Sequence, residues 1–244
     1  MNPEMFREYD IRGIAGEDMD EADVYAIARG IGTYLRQNGC VKIIVGRDCR
    51  TTSDAYAEQV IKGLAATGCD VTDIGVCPTP VLYFSIHHFS QEGGVMVTAS
   101  HNPAEYNGFK LCLGTQSIHG EQIQEVRRII EKGVFAEGEG SRTTADAVTP
   151  NQAYLKENIS VSRPLRVGID AGNGTAGPAA VAAVKAQGCE VVEIYTEMDG
   201  SFPNHEADPT VAANMVDLID LVGREKLDVG IAFDGDGDRM GVVD

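Results

Sequence analysis

VKIIVGRDCRTTSDAYAEQVIKGLAATGCDVTDIG, residues 41–75, decides the fold. Its opening VKIIVGRD is short, rich in β-branched residues and bounded by polar ones, which predicts a strand delivering Arg47 and Asp48 at its carboxyl end. A helix over Asp54 to Thr67 follows, and VTDIG begins the next strand. A strand, a helix and another strand in immediate succession make the repeating unit of an α/β layer architecture.

The same rhythm extends in both directions. Upstream, Val24, Ile27, Ala28, Ile31 and Leu35 recur at helical spacing between Asp20, a capping residue, and Gly39, a stop. Downstream come TPVLYFSIHHF, the apolar run GVMVTAS, the strand FKLCL, and a helix after Gly120 with Ile123, Val126, Ile129 and Ile130 on one side. GVFAEGEGSRTTADAVTP, residues 133–150, then loses periodicity and concentrates glycine and polar residues, so a domain transition is expected within 133–160 and the domains are read as 1–150 and 151–244. The second region restarts with RVGIDAGNGTAG, an Ala-rich helix at 178–187, the strand EVVEIY, a helix near 210–223, and LDVGIAFDGDGD. MGVVD at the end reads as a further strand, and Asp244 as an interruption rather than a domain end.

Charge excludes one class of partner. Twenty Lys and Arg stand against 37 Asp and Glu, a net charge of −17, so the surface as a whole repels nucleic acid. Arg7, Arg12, Arg47 and Arg50, all near turns, are still enough for one small anion site of the size a phosphorylated metabolite needs. The six cysteines show no CxxC pairing and read as reduced and structural. The first residues lack a basic leader followed by an apolar run, and no segment approaches the roughly 18 apolar residues of a membrane span, so a cytoplasmic protein without membrane partners is expected. The pattern assigns no oligomeric face.

Asp234, Asp236 and Asp238 alternate with Gly235 and Gly237 directly after the apolar DVGIAF. Three carboxylates are hard oxygen ligands suited to magnesium. On a straight strand their side chains would stand nearly 7 Å apart, too far to share one ion at about 2.1 Å, so the glycines must let the backbone curve. Turn-capping aspartates are the alternative, but without a cation three such close charges repel one another. The calcium helix-loop-helix schedule, with its later glutamate, is absent.

In GVMVTASHNPAEYNGFK, residues 94–110, Ser100 and His101 follow a hydrophobic strand and precede the turn residues Asn102 and Pro103. A hydroxyl at such a tip is expected to be exposed to an incoming electrophile, which makes Ser100 a candidate covalent phosphoryl carrier; capping of the turn is the competing role. A Ser-His hydrolase has little support, because no GxSxG elbow surrounds Ser100. DAGNGTAG matches neither the GxxxxGK[ST] phosphate loop nor the GxGxxG dinucleotide turn; Gly172 and Gly174 are instead expected to permit a close turn at the cleft edge.

YDIRG at 9–13, GRD with Arg50, PTP at 78–80, TASHNP at 98–103, YNGFK at 106–110, DAGNG at 170–174 and DGDGDR at 234–239 occur in an order that closely resembles the α-D-phosphohexomutase family, in particular bacterial phosphomannomutase/phosphoglucomutase enzymes. The resemblance implies two consecutive three-layer α/β/α domains with mixed sheets. It also implies an intramolecular phosphotransferase that moves phosphoryl between the 1 and 6 oxygens of an α-D-hexose phosphate, through a phosphoserine at Ser100 and a hexose 1,6-bisphosphate. Mg2+ would be bound by Asp234, Asp236 and Asp238, with Ser100 contributing its phosphoryl or hydroxyl oxygen. Lys110 becomes a candidate acid/base, Arg12 a charge-stabilising or proton-handling residue near the reacting oxygens, and His101 an aid to the serine loop's geometry.

Phosphoryl transfer needs in-line oxygens and stabilised charge, so a metal cage beside an arginine is chemically apt. Lys110 would need a lowered pKa to act as a base near neutrality; read alone it is a solvated strand lysine. Arg239 and Arg47 are placed in the phosphoryl and substrate shell, each with an ion-pair role as the alternative. Four domains are implied for the whole enzyme, so these 244 residues alone are expected to turn over poorly. Phosphoglucosamine mutase, commonly carrying DGDADR where this chain has Gly237, and a non-catalytic metal-binding module are the other readings.

Overall fold

The computed structural model describes residues 2–244. After a 3-10 turn at Pro3–Met5 come β1 (Ile11–Ile14), α1 (Glu21–Gln37), β2 (Lys42–Arg47), α2 (Ser53–Ala66) and β3 (Asp70–Val76). Asp20 caps α1 with a complete capping box, its side chain accepting from Asp23 N while Asp23 answers to the Asp20 amide. Next come α3 (Thr79–His88), β4 (Gly93–Val97), β5 (Tyr106–Leu113), the short β6 (Gln116–Ser117) and α4 (Glu121–Lys132). These strands and β7 (Arg142–Thr144) form one mixed sheet in the order β1-β5-β4-β2-β3-β7, with β6 on β5. β4, β2, β3 and β7 run parallel, whereas β5 is antiparallel to both of its main neighbours.

Alternation along β2 explains the layers. Ile43 and Val45 point to the face covered by α1, α2 and α4, where Ile27, Ile31, Val60, Leu64, Ile123 and Val126 complete a core; Ile44 points to the opposite face, with Leu82 and Ile86 of α3. A strand buried on both faces must be apolar throughout, which is what IIV supplies.

An 11-residue helix, α5 (Val148–Asn158), leads into β8 (Arg166–Asp170), α6 (Ala176–Ala186), β9 (Glu190–Ile194), α7 (Val216–Glu225), β10 (Val229–Phe233) and β11 (Met240–Val243). The second sheet is β11-β10-β8-β9, parallel except for β11. Leu218, Leu221 and Val222 of α7 close one face and Val181 and Val184 of α6 the other. Both halves are therefore α/β with mixed sheets and helices on the two faces.

The helix read near 210–223 resolves into a single 3-10 turn, Ala212–Met215, followed by α7. The aperiodic stretch 133–150 contains β7, which pairs with β3 although all three of its residues are exposed and leave no apolar alternation to read. Residue 150 falls inside α5. That helix starts with Val148 packed on the first domain's smaller core, then lies along α6, with Gln152 Nε2 donating to the Ala179 carbonyl at 2.8 Å. Among the described residues no helix is long and apolar enough to cross a membrane.

Candidate active site

The carboxyl ends of β4 and β10 meet, and the loops beyond them carry Ser100 and the three aspartates. Glycine makes the approach possible. A Cβ on Gly235 would lie 2.4 Å from the Ser100 carbonyl oxygen, and one on Gly174 would lie 2.6 Å from the Gly235 carbonyl oxygen. Thr175 donates to that same Gly235 carbonyl through its amide at 3.1 Å and its hydroxyl at 3.2 Å. The DAGNG turn, the acidic loop and the serine loop are thus stacked backbone on backbone.

Ser100 is not the exposed tip expected from its turn: it is 2% exposed, at φ +54°. The second domain covers it. Its hydroxyl donates to Asp234 Oδ2 at 2.7 Å and accepts from Arg239 Nη2 at 2.9 Å. A loop judged by itself looks open, and only the packing of the other domain closes it. His101 places Nδ1 3.5 Å from the Ser100 hydroxyl and accepts from Arg239 Nη2. Burial, then the charges of Arg239 and Arg12, lower the His101 pKa, which favours a neutral ring able to accept that bond.

In the acidic loop the backbone turns back on itself, Gly237 N donating to the Asp234 carbonyl at 2.9 Å. Carboxylate oxygens of Asp234, Asp236 and Asp238 come within 4.8 Å of one another. Asp234 is fully buried; its Oδ1 accepts from the amides of Asp238 (3.1 Å) and Arg239 (3.0 Å), and its Oδ2 also takes Arg239 Nε at 3.1 Å. Burial, then the neighbouring Asp236 and Asp238, push its pKa up to about 6. Asp236 is fully buried too, and its Oδ1 has no hydrogen-bond partner among the described residues. An orphaned carboxylate oxygen beside two more carboxylates fits a divalent cation taking hard oxygen ligands.

Lys110 reaches across from β5. Its ammonium donates to Asp236 Oδ2 and Asp238 Oδ2, each at 2.5 Å. Burial pulls its pKa down, but the two carboxylates outweigh burial and the net shift is upward, the reverse of what a base near neutrality requires. At Asp236 burial pushes the pKa up, but that ammonium together with the Thr79 and Ser100 hydroxyls outweighs it and the carboxyl is held below the usual range. Arg12, on β1, pairs with Asp10 and donates to Asn102 Oδ1 at 2.5 Å, bracing the serine loop.

Arg47 departs from its expected place in the phosphoryl shell: its guanidinium is held by Asp54 at 2.5 Å and Asp73 at 3.2 Å, away from the serine. Asp48 pairs with Arg50 rather than Arg47. Arg47 and Arg50 are thus each paired with carboxylates, and Arg239 is the arginine that donates to the Ser100 hydroxyl.

Thr79, in the PTP turn, is a site residue that its residue type alone does not announce. It donates through its amide to the Asp236 carbonyl at 2.8 Å and through its hydroxyl to Asp236 Oδ2, so the turn after β3 orients a buried carboxylate of the acidic loop. His205 is a second such residue. Its Nε2 lies 3.0 Å from Oδ2 of the buried Asp170, and the next turn of chain presents the Ala207 carbonyl to Gly235 N at 3.2 Å. The hydrogen bond to Asp170 is the largest cause of a raised His205 pKa. A group whose folded value exceeds its unfolded one stabilises fully below about 6.5 and progressively less as pH rises through the folded value. His205→Gln is accordingly expected to lower the denaturation midpoint by about 2–4 °C at pH 6, with the gap to the unsubstituted protein narrowing at higher pH; a gap constant with pH would refute the pairing.

Comparison with known proteins follows the same two-part division. Residues 3–137 match the family model described as phosphoglucomutase/phosphomannomutase, alpha/beta/alpha domain I, and residues 146–244 match domain II of the same family. The chain is 43% identical over 239 residues to a Pseudomonas aeruginosa phosphomannomutase/phosphoglucomutase, covering 98% of this chain and 52% of the relative. It is 40% identical to a Neisseria gonorrhoeae phosphoglucomutase, covering 98% and 53%. A Burkholderia thailandensis phosphoglucomutase/phosphomannomutase family structure superposes with a TM-score of 0.96 at 39% identity, over all of this chain and 55% of that one. The chain spans about half the length of these relatives, and it belongs to the phosphoglucomutase/phosphomannomutase family.

Proposed function

We propose that the protein carrying this chain is a phosphohexomutase, moving phosphoryl between the 1 and 6 oxygens of an α-D-hexose phosphate by way of phosphoserine 100 and a hexose 1,6-bisphosphate. The observation that carries the reading is the direct contact between nucleophile and acidic loop, Ser100 Oγ to Asp234 Oδ2 at 2.7 Å. In one direction the Ser100 oxygen attacks phosphorus of the bisphosphate, the bond from phosphorus to the sugar oxygen breaks, and the serine proton passes to the carboxylate that already accepts it. Lys110, kept protonated by Asp236 and Asp238, gives a proton to the departing sugar oxygen. The reverse transfer returns phosphoryl to the other hydroxyl after the sugar has turned around. Arg239, bonded to the serine hydroxyl, and Arg12 stabilise the transferred charge.

Asp234, Asp236, Asp238 and the Ser100 oxygen would hold Mg2+, which when bound neutralises the carboxylates and polarises phosphoryl oxygens. Six unbridged cysteines suit a reducing, cytoplasmic setting.

Gly237 favours phosphomannomutase/phosphoglucomutase chemistry over the glucosamine enzyme. It sits at φ +72°, and a Cβ there would meet the Ala176 Cβ at 2.9 Å, so the DGDADR pattern would strain this loop. The test is an assay of the full-length protein in magnesium with mannose, glucose and glucosamine phosphates in parallel. Turnover of the first two above the third is expected. No turnover of any of them would remove the proposal, and preference for glucosamine would reverse its substrate.

A further inference from the structure

Arg50 is 3% exposed, and each of its five N–H groups is used. Nε donates to Asp48 Oδ2 at 3.0 Å. Nη1 donates to the carbonyls of Pro103 (2.5 Å) and Tyr106 (3.1 Å), and Nη2 to those of Ser100 (2.9 Å) and Asn102 (2.6 Å). No donor remains for a ligand, so this guanidinium is not part of an anion site despite its place in the GRDCR turn.

Four carbonyls from one loop converge on one planar fork, and that loop holds the nucleophile. Ser100 occupies the left-handed region, which a non-glycine residue keeps only where its surroundings enforce it. Thr98 Oγ1 fixes the Ser100 amide at 2.9 Å and Arg50 fixes its carbonyl, so both peptide groups flanking the strained residue are tied down. Asp48, itself buried, anchors the fork through Arg50 N at 3.0 Å as well as through Nε.

The second domain rests on the same residue. The Phe202 ring lies 5.0 Å from the guanidinium carbon, and a Cβ on Gly200 would fall 2.3 Å from the Cys49 carbonyl oxygen and 2.7 Å from Arg50 Cα. One face of the guanidinium plane is thereby stacked by a ring whose loop belongs to the acidic half of the cleft.

We infer that Arg50 is a positioning residue for phosphoryl transfer: it clamps residues 100–106 through their carbonyls and registers that loop against the second domain, without touching substrate. The inference rests on the mutase reading for its kinetic consequence but not for its structural one. Arg50→Lys retains charge while losing the planar fork, since one ammonium cannot meet four carbonyls and a carboxylate.

In the full-length protein with magnesium, Arg50→Lys should lower kcat more than about tenfold while KM for the hexose phosphate stays within about twofold, because a small shift of a reacting oxygen costs rate rather than binding. Amide hydrogen exchange should quicken selectively across residues 99–106 and be unaltered over α1 and α4. If Arg50→Lys does not fold, Asp48→Asn, which frees the fork from its anchor, is measured in the same way. Exchange that quickens throughout the first domain, or a kcat within twofold of the unsubstituted protein, overturns the inference. If the unsubstituted protein lacks mutase turnover, the mutase reading fails, and the local exchange comparison alone decides whether the clamp exists.

Discussion

Ser100→Ala is expected to abolish phosphoryl uptake from a hexose 1,6-bisphosphate and to reduce mutase turnover by about 10⁴-fold or more, as loss of a covalent nucleophile does elsewhere. The geometry makes this a chemical loss rather than a folding one. Asp234, the acceptor of the serine hydroxyl, keeps three other donors, the amides of Asp238 and Arg239 and the Arg239 Nε. Removal of one donor from so well-supplied a carboxylate should cost about 1 kcal/mol. The loop conformation is enforced through backbone groups, the Ser100 amide and carbonyl, which alanine retains. Intact mass after incubation with the bisphosphate should show one added phosphate on the unsubstituted protein, mapping to residue 100, and none on the variant, whose melting midpoint should fall by no more than about 2–4 °C. Phosphate appearing on the alanine variant at an undiminished rate would mean that another group is the carrier.

The α/β rhythm was legible because both of its periods are strong: IIV buried on both faces of β2, and the stripe Ile123, Val126, Ile129 on α4. β7 was not, since Arg142, Thr143 and Thr144 are all exposed and hold the sheet edge through backbone bonds and polar side-chain contacts to Asp73, Glu58 and Thr72, with no apolar alternation. Of the site, the carboxylate cluster and its glycine-permitted turn could be read from spacing. What could not be read is anything created by two distant segments meeting. Ser100 is buried by Asp234 and Arg239, more than a hundred residues downstream, and Lys110 owes its raised pKa to Asp236 and Asp238. Arginines illustrate the same limit. Side-chain chemistry marks Arg47 and Arg50 as equal candidates for an anion, but the first meets Asp54 and Asp73 and the second is consumed by carbonyls. Thr79 carried no signal of its own beyond the PTP turn; its partner Asp236 lies 157 positions away.

Gly235→Ala tests the meeting of the two loops directly. The backbone at Gly235 is not among the positive-φ glycines, so alanine is conformationally acceptable there and the penalty comes from contact alone. A Cβ 2.4 Å from the Ser100 carbonyl oxygen must push the loops apart by about 1 Å to reach ordinary van der Waals separation. The serine side cannot yield easily, because that carbonyl is held by Arg50. Lengthening the 2.7 Å bond between Ser100 and Asp234 by that amount takes it out of hydrogen-bonding range. Turnover should then fall by about 100-fold or more. Magnesium affinity, read by direct calorimetric titration, should fall less than for Asp236→Asn, because the three carboxylates move as one loop and only the Ser100 oxygen is drawn away from them. Gly223→Ala is the control: it lies in α7 with nothing near its Cβ position, so it should leave turnover unchanged and slightly stabilise the helix. Equal activity of the two alanine variants would mean that the serine and acidic loops do not touch where the mutase reading needs them to.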